Sequence, residues 1–153
     1  MVRYEQVTKE HIDELCENMR EADRAEVAAI SKDDLYNVVT DSVSNSSMSA
    51  TAFINDELAC IIGVCSASKT IINVVGVPWL LGTEVIKNNK REFCGEYAKI
   101  INQMLSEFSL LENYVDSNNK DAIKFLKRAG FKVGDAMPVG IDGHPFHKFT
   151  MGA

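Results

Sequence analysis

No apolar run in this 153-residue chain is long enough to cross a bilayer, so no membrane-spanning role is expected. The first residues, Met1-Val2-Arg3-Tyr4-Glu5, lack the apolar core of a secretory signal, which leads to the expectation of a cytoplasmic setting. Cysteine is scarce. Cys16, Cys60, Cys65 and Cys94 show none of the paired spacing of a zinc site, and they fall within apolar patterns, as Cys16 does beside Ile12, Leu15 and Met19. Buried, reduced thiols are expected from them, not a disulfide frame. His11, His144 and His147 are equally unsuited to holding a metal, and none is expected. Positive charge is also short: 16 Lys and Arg stand against 22 Asp and Glu, a net charge of −6. An acidic surface repels phosphate backbones, so nucleic acid is not expected as a partner on charge. There is no internal repeat and no linker, so residues 1–153 read as a single domain.

What is present is a succession of short hydrophobic patterns. Val2, Tyr4 and Gln6 to Val7 predict a strand, and Thr8 caps a helix with Ile12, Leu15, Cys16 and Met19 inward. The polar run Arg20 to Glu26 follows with no element of its own. Ser31 with Asp34 has the form of a capping box for a second helix carrying Leu35, Val38 and Val39. Ser42 to Ser49 reads as a loop. Ala50–Ile54 and Leu58–Val64 predict a hairpin about Asn55-Asp56. An apolar run from Ile71 to Leu81 is broken at Gly76 and Pro78, and its last piece, Pro78 to Thr83, reads as a buried central strand. A polar loop, Glu84 to Arg91, leads into the longest helix, with Phe93, Tyr97, Ile100, Ile101, Met104, Leu105 and Phe108 on one stripe.

Asn113 to Phe131 is the most informative stretch. Leu111, Tyr114 and Val115 predict a strand, and Asn118 or Asn119 can cap a helix with Asp121 near its positive end. Ala122, Ile123, Leu126 and Ala129 share one face, and Gly130 takes the left-handed position that closes such a helix before Phe131 opens the next strand. Two closing strands meet across Ile141-Asp142-Gly143. The predicted order is β, α, α, β, β, β, α, β, α, β, β.

This unit resembles the C-terminal pattern of the GNAT N-acetyltransferase family, Asn-x-x-Ala-Ile-x-x-Tyr-x-x-x-Gly-Phe, through Asn119, Ala122, Ile123, Gly130 and Phe131; Leu126 stands in the place of the tyrosine. The element order is similar to that family's along the whole chain. The resemblance implies an α/β fold with a mixed, mostly antiparallel sheet of about six to seven strands and about four flanking helices. It also implies acetyl-CoA as cofactor and an amine as acceptor. Three segments, Met19 to Glu26, Pro78 to Thr83 and Asn113 to Phe131, further resemble the small GNAT-like proteins of T7-type bacteriophages, the Gp13-like or internal virion proteins. That implies a phage origin, with the infected cell's cytoplasm or the virion as its place.

The chemistry needs main-chain donors for a diphosphate, a donor for the thioester oxygen, and a base for the amine. By the family's register the diphosphate loop should precede Phe93, where Asn88 and Lys90 fall on the two glycine positions and Val85 on the arginine. Asn88 and Asn89 are suited to left-handed backbone angles that would make a nest of N–H groups, and Lys87, Lys90 and Arg91 add charge for phosphates. Leu80, Leu81 and Gly82 occupy the strand that should polarise the carbonyl and pair with the pantetheine arm. Trp79 packs in the core or lines the acceptor cleft. Glu84 is the best-placed base, with Glu26 and Asp23 as rivals, and Arg20 joins them in a polar acceptor site. Asn119 is expected to bond the pantetheine or its thiol end. Tyr97 and Tyr114 read as core residues, not as replacements for the absent tyrosine.

Two functions follow as expectations. One is transfer of acetyl to an amine of a host protein or small molecule; the other is a catalytically weak or inactive protein that keeps the fold for a virion, assembly or host-takeover role. The C-terminal edge strand leaves room for a homodimer.

Overall fold

The computed structural model describes residues 1–67 and 74–152. The first part of the apolar run predicted from Ile71, residues 71–73, lies outside them. The described elements are β1 (Val2–Glu5), α1 (Lys9–Asn18), α2 (Glu21–Ile30), α3 (Leu35–Asn45), β2 (Ser46–Ile54), β3 (Glu57–Ser66) and β4 (Val75–Gly82). After them come α4 (Glu84–Asn88), α5 (Lys90–Leu105), β5 (Leu110–Asp116), α6 (Lys120–Ala129), β6 (Lys132–Met137) and β7 (Phe146–Gly152), with a short 3₁₀ turn at Ile141–Gly143. The seven strands form one sheet in the order β1-β2-β3-β4-β5-β7-β6, antiparallel at every pairing except β4 with β5.

The core lies in two layers. Ile12, Leu15, Val27 and Val39 of α1–α3 pack on one face of the sheet against Phe53, Leu58 and Ile61. Phe93, Tyr97, Ile101 and Met104 of α5 and Leu126 of α6 pack on the other, against Cys60, Ile62, Leu111 and Val115. The hairpin turns on Asn55 and Asp56, with φ of 51° and 67°, the paired left-handed angles of a tight turn. Gly130, at φ 105°, closes α6 as its sequence requires.

Four expectations need correction. The polar run after Met19 begins a helix absent from the predicted order: Arg20 precedes α2, whose Asp23 and Val27, four residues apart, are both buried. Asp34, not Ser31, precedes α3, and no side chain bonds its first turn. The expected serine loop does not form: α3 runs to Asn45 and β2 begins at Ser46. The loop Glu84 to Arg91 contains α4, capped by Thr83, whose hydroxyl accepts from the Val85 N–H at 3.3 Å. The sheet is thus flanked by six helices among the described residues, where about four were expected.

The feature that positions the site is the parting of β4 from β5. They pair only at Val75–Leu110 and Gly76–Leu111. Even-numbered residues of β4 direct their main-chain groups toward β5: the Val74 carbonyl accepts from Ser109, whereas Thr83 N–H turns the other way, to Ala59. Pro78 is the next residue due to offer a donor to β5, and it has none. Its carbonyl accepts from the Asn113 side chain at 2.8 Å, which ends the strand pairing. Beyond that point the strands diverge.

Candidate functional site

The gap between β4 and β5 becomes a cleft of about 390 Å³. Its lining comes from both faces of the sheet. Val27 and Val38 belong to the α1–α3 layer, while Lys87, Lys90, Tyr97 and Phe125 belong to the α4–α6 side. The cleft therefore passes through the sheet. Trp79 lines it on the α1–α3 side, its ring seated over Gly63, where an added Cβ would lie 2.8 Å from the indole. The Trp79 N–H donates to Ser46 Oγ at 2.8 Å.

One end of the gap is closed by Pro78 and Asn113; the other is spanned by acids of α2. Asp23, 4% exposed, accepts from the Gly82 N–H of β4 at 2.9 Å, from Arg20 at 3.1 Å and from the Asn119 side chain at 3.2 Å. Glu26, one turn further, accepts from the Asp116 N–H of β5 at 2.8 Å and from Asn119 at 3.4 Å. Asp116, itself buried, meets His144 Nε2 at 2.7 Å. Arg20 also reaches Asp121 at 3.7 Å, and its N–H donates to the Gly82 carbonyl at 2.9 Å. A polar bridge thus ties the free ends of the diverging strands, each buried acceptor matched by a donor.

Burial governs the charge of this bridge. Loss of water raises the Asp23 carboxyl above its ordinary range, against the Gly82 N–H, the Arg20 charge and Asn119, which favour the carboxylate. Glu26 has only the Asp116 N–H and Asn119 in compensation, and Asp23 beside it, so burial first and its neighbour's charge second push it up to about 7. At neutral pH Glu26 can both hold and release a proton.

Arg20, Asp23, Glu26, Trp79 and Asn119 meet in this one cleft, joined by Leu80, Leu81, Lys87 and Lys90. Leu80, Leu81 and Gly82 are not equivalent there. Gly82 spends its N–H on Asp23, and Leu81 turns its main chain toward Ile61 of β3. Leu80, two residues before Gly82, directs its N–H and carbonyl into the gap, where no protein group among the described residues reaches them. Asn119 is 1% exposed; its amide is engaged with the two acids and its oxygen accepts from the Ala122 N–H at 3.4 Å, so it serves as helix cap and bridge.

Other candidates are not brought in. Glu84, exposed in the first turn of α4, lines a separate depression with Asn88, Glu14 and Glu57. Asn88 and Asn89 do not adopt left-handed angles: Asn89 has φ −134° and ψ 36°, and its side chain donates to the Val85 carbonyl. No nest forms. The Asn89 side chain leaves the first turn of α5 uncapped, so ordinary helix-start N–H groups are presented instead. Arg91 is exposed and outside the cleft lining. Sequence reasoning missed Lys124 and Arg128, which line the cleft from α6; their four-residue spacing on one face was the available sign.

No curated sequence matches the chain. A family model described as "Bacteriophage T7, probable scaffold protein Gp13" matches residues 71–136. Among solved structures, the ribosomal-protein-alanine N-acetyltransferase of Brucella melitensis superposes with a TM-score of 0.70 at 12% identity, covering 99% of each chain. The aminoglycoside N(6′)-acetyltransferase of Legionella pneumophila gives a TM-score of 0.70 at 14% identity, over 98% of this chain and 91% of that one. The fold is that of the GNAT acetyltransferases. Another GNAT-fold relative, the PaiA N-acetyltransferase of Thermoplasma acidophilum in complex with coenzyme A, gives 0.60 at 16% identity over 100% and 99%. The α/β sheet of seven mostly antiparallel strands agrees with the expectation from sequence.

Proposed function

We propose that this chain is an acetyl-CoA-dependent N-acetyltransferase of phage origin, acting in the infected cell on an amine of a host protein or small molecule. One observation carries the reading: the unpaired Leu80 peptide lies in a window through the sheet, with cations on one side and Glu26 on the other. The uncapped start of α5 supplies N–H donors for a diphosphate, and Lys87, Lys90, Lys124 and Arg128 supply charge. Cations at a helix start oppose the helix dipole, a cost that a bound anion would offset.

Acetyl-CoA would supply an activated acyl carbonyl; the chain does the rest. The Leu80 N–H donates to the carbonyl oxygen as negative charge grows there. Glu26 takes a proton from the acceptor nitrogen, and Asp23, Arg20 and Asn119 hold it in place. The amine approaches past Trp79 and Val38 on the α1–α3 side. Glu84, the base first favoured from sequence, gives way to Glu26 in this reading because Glu84 lies outside the cleft lining.

The test is thermal. Acetyl-CoA at about a hundred times its dissociation constant should add roughly 2.7 kcal/mol, a readily measured melting shift. Lys87→Ala with Lys90→Ala should erase most of it; persistence of the full shift would refute the phosphate site. A second reading is favoured by the family model, whose description names a scaffold protein. Absence of both a shift and acetyl transfer would leave that reading, with a binding role in the virion or in assembly.

A further inference from the structure

The two sides of the cleft differ in chemistry. Its lining carries five basic side chains and three acidic ones. Lys87 of α4, Lys90 of α5 and Lys124 and Arg128 of α6 all belong to the side read above as the diphosphate's. Of the acids, Asp23 and Asp121 both face Arg20, at 3.1 and 3.7 Å. Glu26 is left as the one lining carboxylate without a cation among the described residues.

Around Glu26 the wall is largely carbon. Val27 and Ile30 of α2, Val38 of α3 and Trp79 of β4 line the α1–α3 side, and Ile30 stands one helical turn beyond Glu26 on the same face. Phe146 joins them. Phe149 and Met151 pack in the α5–α6 layer, so strand alternation turns Phe146 to the opposite face of β7. A Cβ added at Gly140 would meet both the Ala29 carbonyl of α2 and the Phe146 ring at 2.7 Å, which brings that ring against α2. Two polar groups beside this wall are spent within the protein: the Ser42 hydroxyl donates to the Val38 carbonyl at 2.8 Å, and the Trp79 N–H to Ser46. Ile30, 48% exposed, carries the apolar surface out to the mouth.

Such a wall discriminates between amines. Apolar surface gains by leaving water, whereas a second ammonium would lose its water with no free carboxylate to meet it. The same surroundings disfavour the charged form of the bound amine and help it reach the neutral state in which it attacks. We propose that the acceptor is an amine of single positive charge on an apolar body, its nitrogen at Glu26 and its carbon against Ile30, Val38, Trp79 and Phe146. The proposal rests on the acetyltransferase reading above and narrows its substrate class. A free arylalkyl amine and a polypeptide N-terminus with a large apolar first residue share this chemistry; polycationic amines do not.

The test uses the whole chain with acetyl-CoA and three probes: 2-phenylethylamine, a C-terminally amidated peptide beginning with phenylalanine, and spermidine. For at least one of the two phenyl-bearing amines kcat/KM should exceed that for spermidine about a hundredfold, and the faster of the two tells which source the site is built for. Spermidine used equally well or better, or neither phenyl-bearing amine used, overturns the proposal. A melting shift with acetyl-CoA alongside that result leaves the acetyltransferase reading standing; absence of the shift removes both. Trp79 is the chain's one tryptophan, so binding can be read without turnover. With coenzyme A present, 2-phenylethylamine should change its fluorescence saturably and spermidine at the same concentration should not; equal responses would also overturn the proposal. Ile30→Asp sets a carboxylate at the exposed mouth and should lower kcat/KM for 2-phenylethylamine about tenfold while raising it for spermidine. An equal fall for both amines would mark Ile30 as merely structural and remove the apolar body from this wall. Should that variant not fold, the wild-type ranking decides alone.

Discussion

α6 and α2 are both ten residues long and both abut the end of β5, yet they are held by opposite means. α6 turns Ala122, Ile123, Leu126 and Ala129 to the core, with lysines outward, an asparagine cap before it and a left-handed glycine after it. α2 turns Asp23 and Glu26 inward, and its hold on the sheet is largely a set of hydrogen bonds to Gly82, Asp116 and Asn119. The difference teaches that a helix can be positioned by satisfying main-chain groups as well as by burying carbon. Where two strands diverge, their ends carry unpaired peptide groups, and acids are the side chains that can meet an N–H there.

The comparison is broken most severely at Asp23. Asp23→Ala strands the Gly82 N–H, leaves Arg20 only Asp121 and the Asn119 amide only Glu26, and should cost about 3–5 kcal/mol in denaturant unfolding. On the other helix, Leu126→Ala removes buried carbon beside Phe125 and should cost about 2–4 kcal/mol, with no pH dependence. Equal pH sensitivity in both variants would show that the two helices are not held differently.

Glu26 sharpens the contrast through pH. Its carboxyl is raised in the folded chain from an ordinary 4.5 to about 7. Between those values the folded state binds more protons than the unfolded, so stability falls as pH rises from about 4.5 to 7. The penalty is fully present above 7. Glu26→Gln should remove that decline and stabilise the protein at pH 8 by on the order of 2 kcal/mol, while reducing acetyl transfer. Wild-type activity should rise through pH 7 as Glu26 loses its proton. A melting curve for Glu26→Gln that tracks wild type from pH 4 to 8 would contradict this.

The smallest effect belongs to the cap. Gly130→Ala forces a Cβ onto φ 105°, with Met151 as its nearest neighbour at 3.4 Å, and should cost about 1–2 kcal/mol. A neutral result would mean that the α6 C-terminus relaxes to another turn.

Asn119 and Gly130 were legible because their roles are local: a cap and a left-handed residue act within a few positions of themselves. The same holds for the Asn55-Asp56 turn and the stripe of α5. α2 was not legible, because acids on the inward face erase the apolar period by which a helix is recognised. Glu84 was favoured as base by its nearness to the strand end in sequence, but Thr83 caps a helix there and leaves Glu84 outside the cleft.

The sequence alone determined the order of most elements, the Asn119 cap and Gly130 close of α6, and the Asn55-Asp56 turn. Each depends on the chain's own bonds and nearest neighbours. Only the tertiary structure decided which acids share a site and which β4 peptide stays unpaired among the described residues. Those are questions of what lies across the gap, and Asp23 lies 96 positions from Asn119. Contacts at that range are set by how the layers close on the sheet, which no local pattern carries.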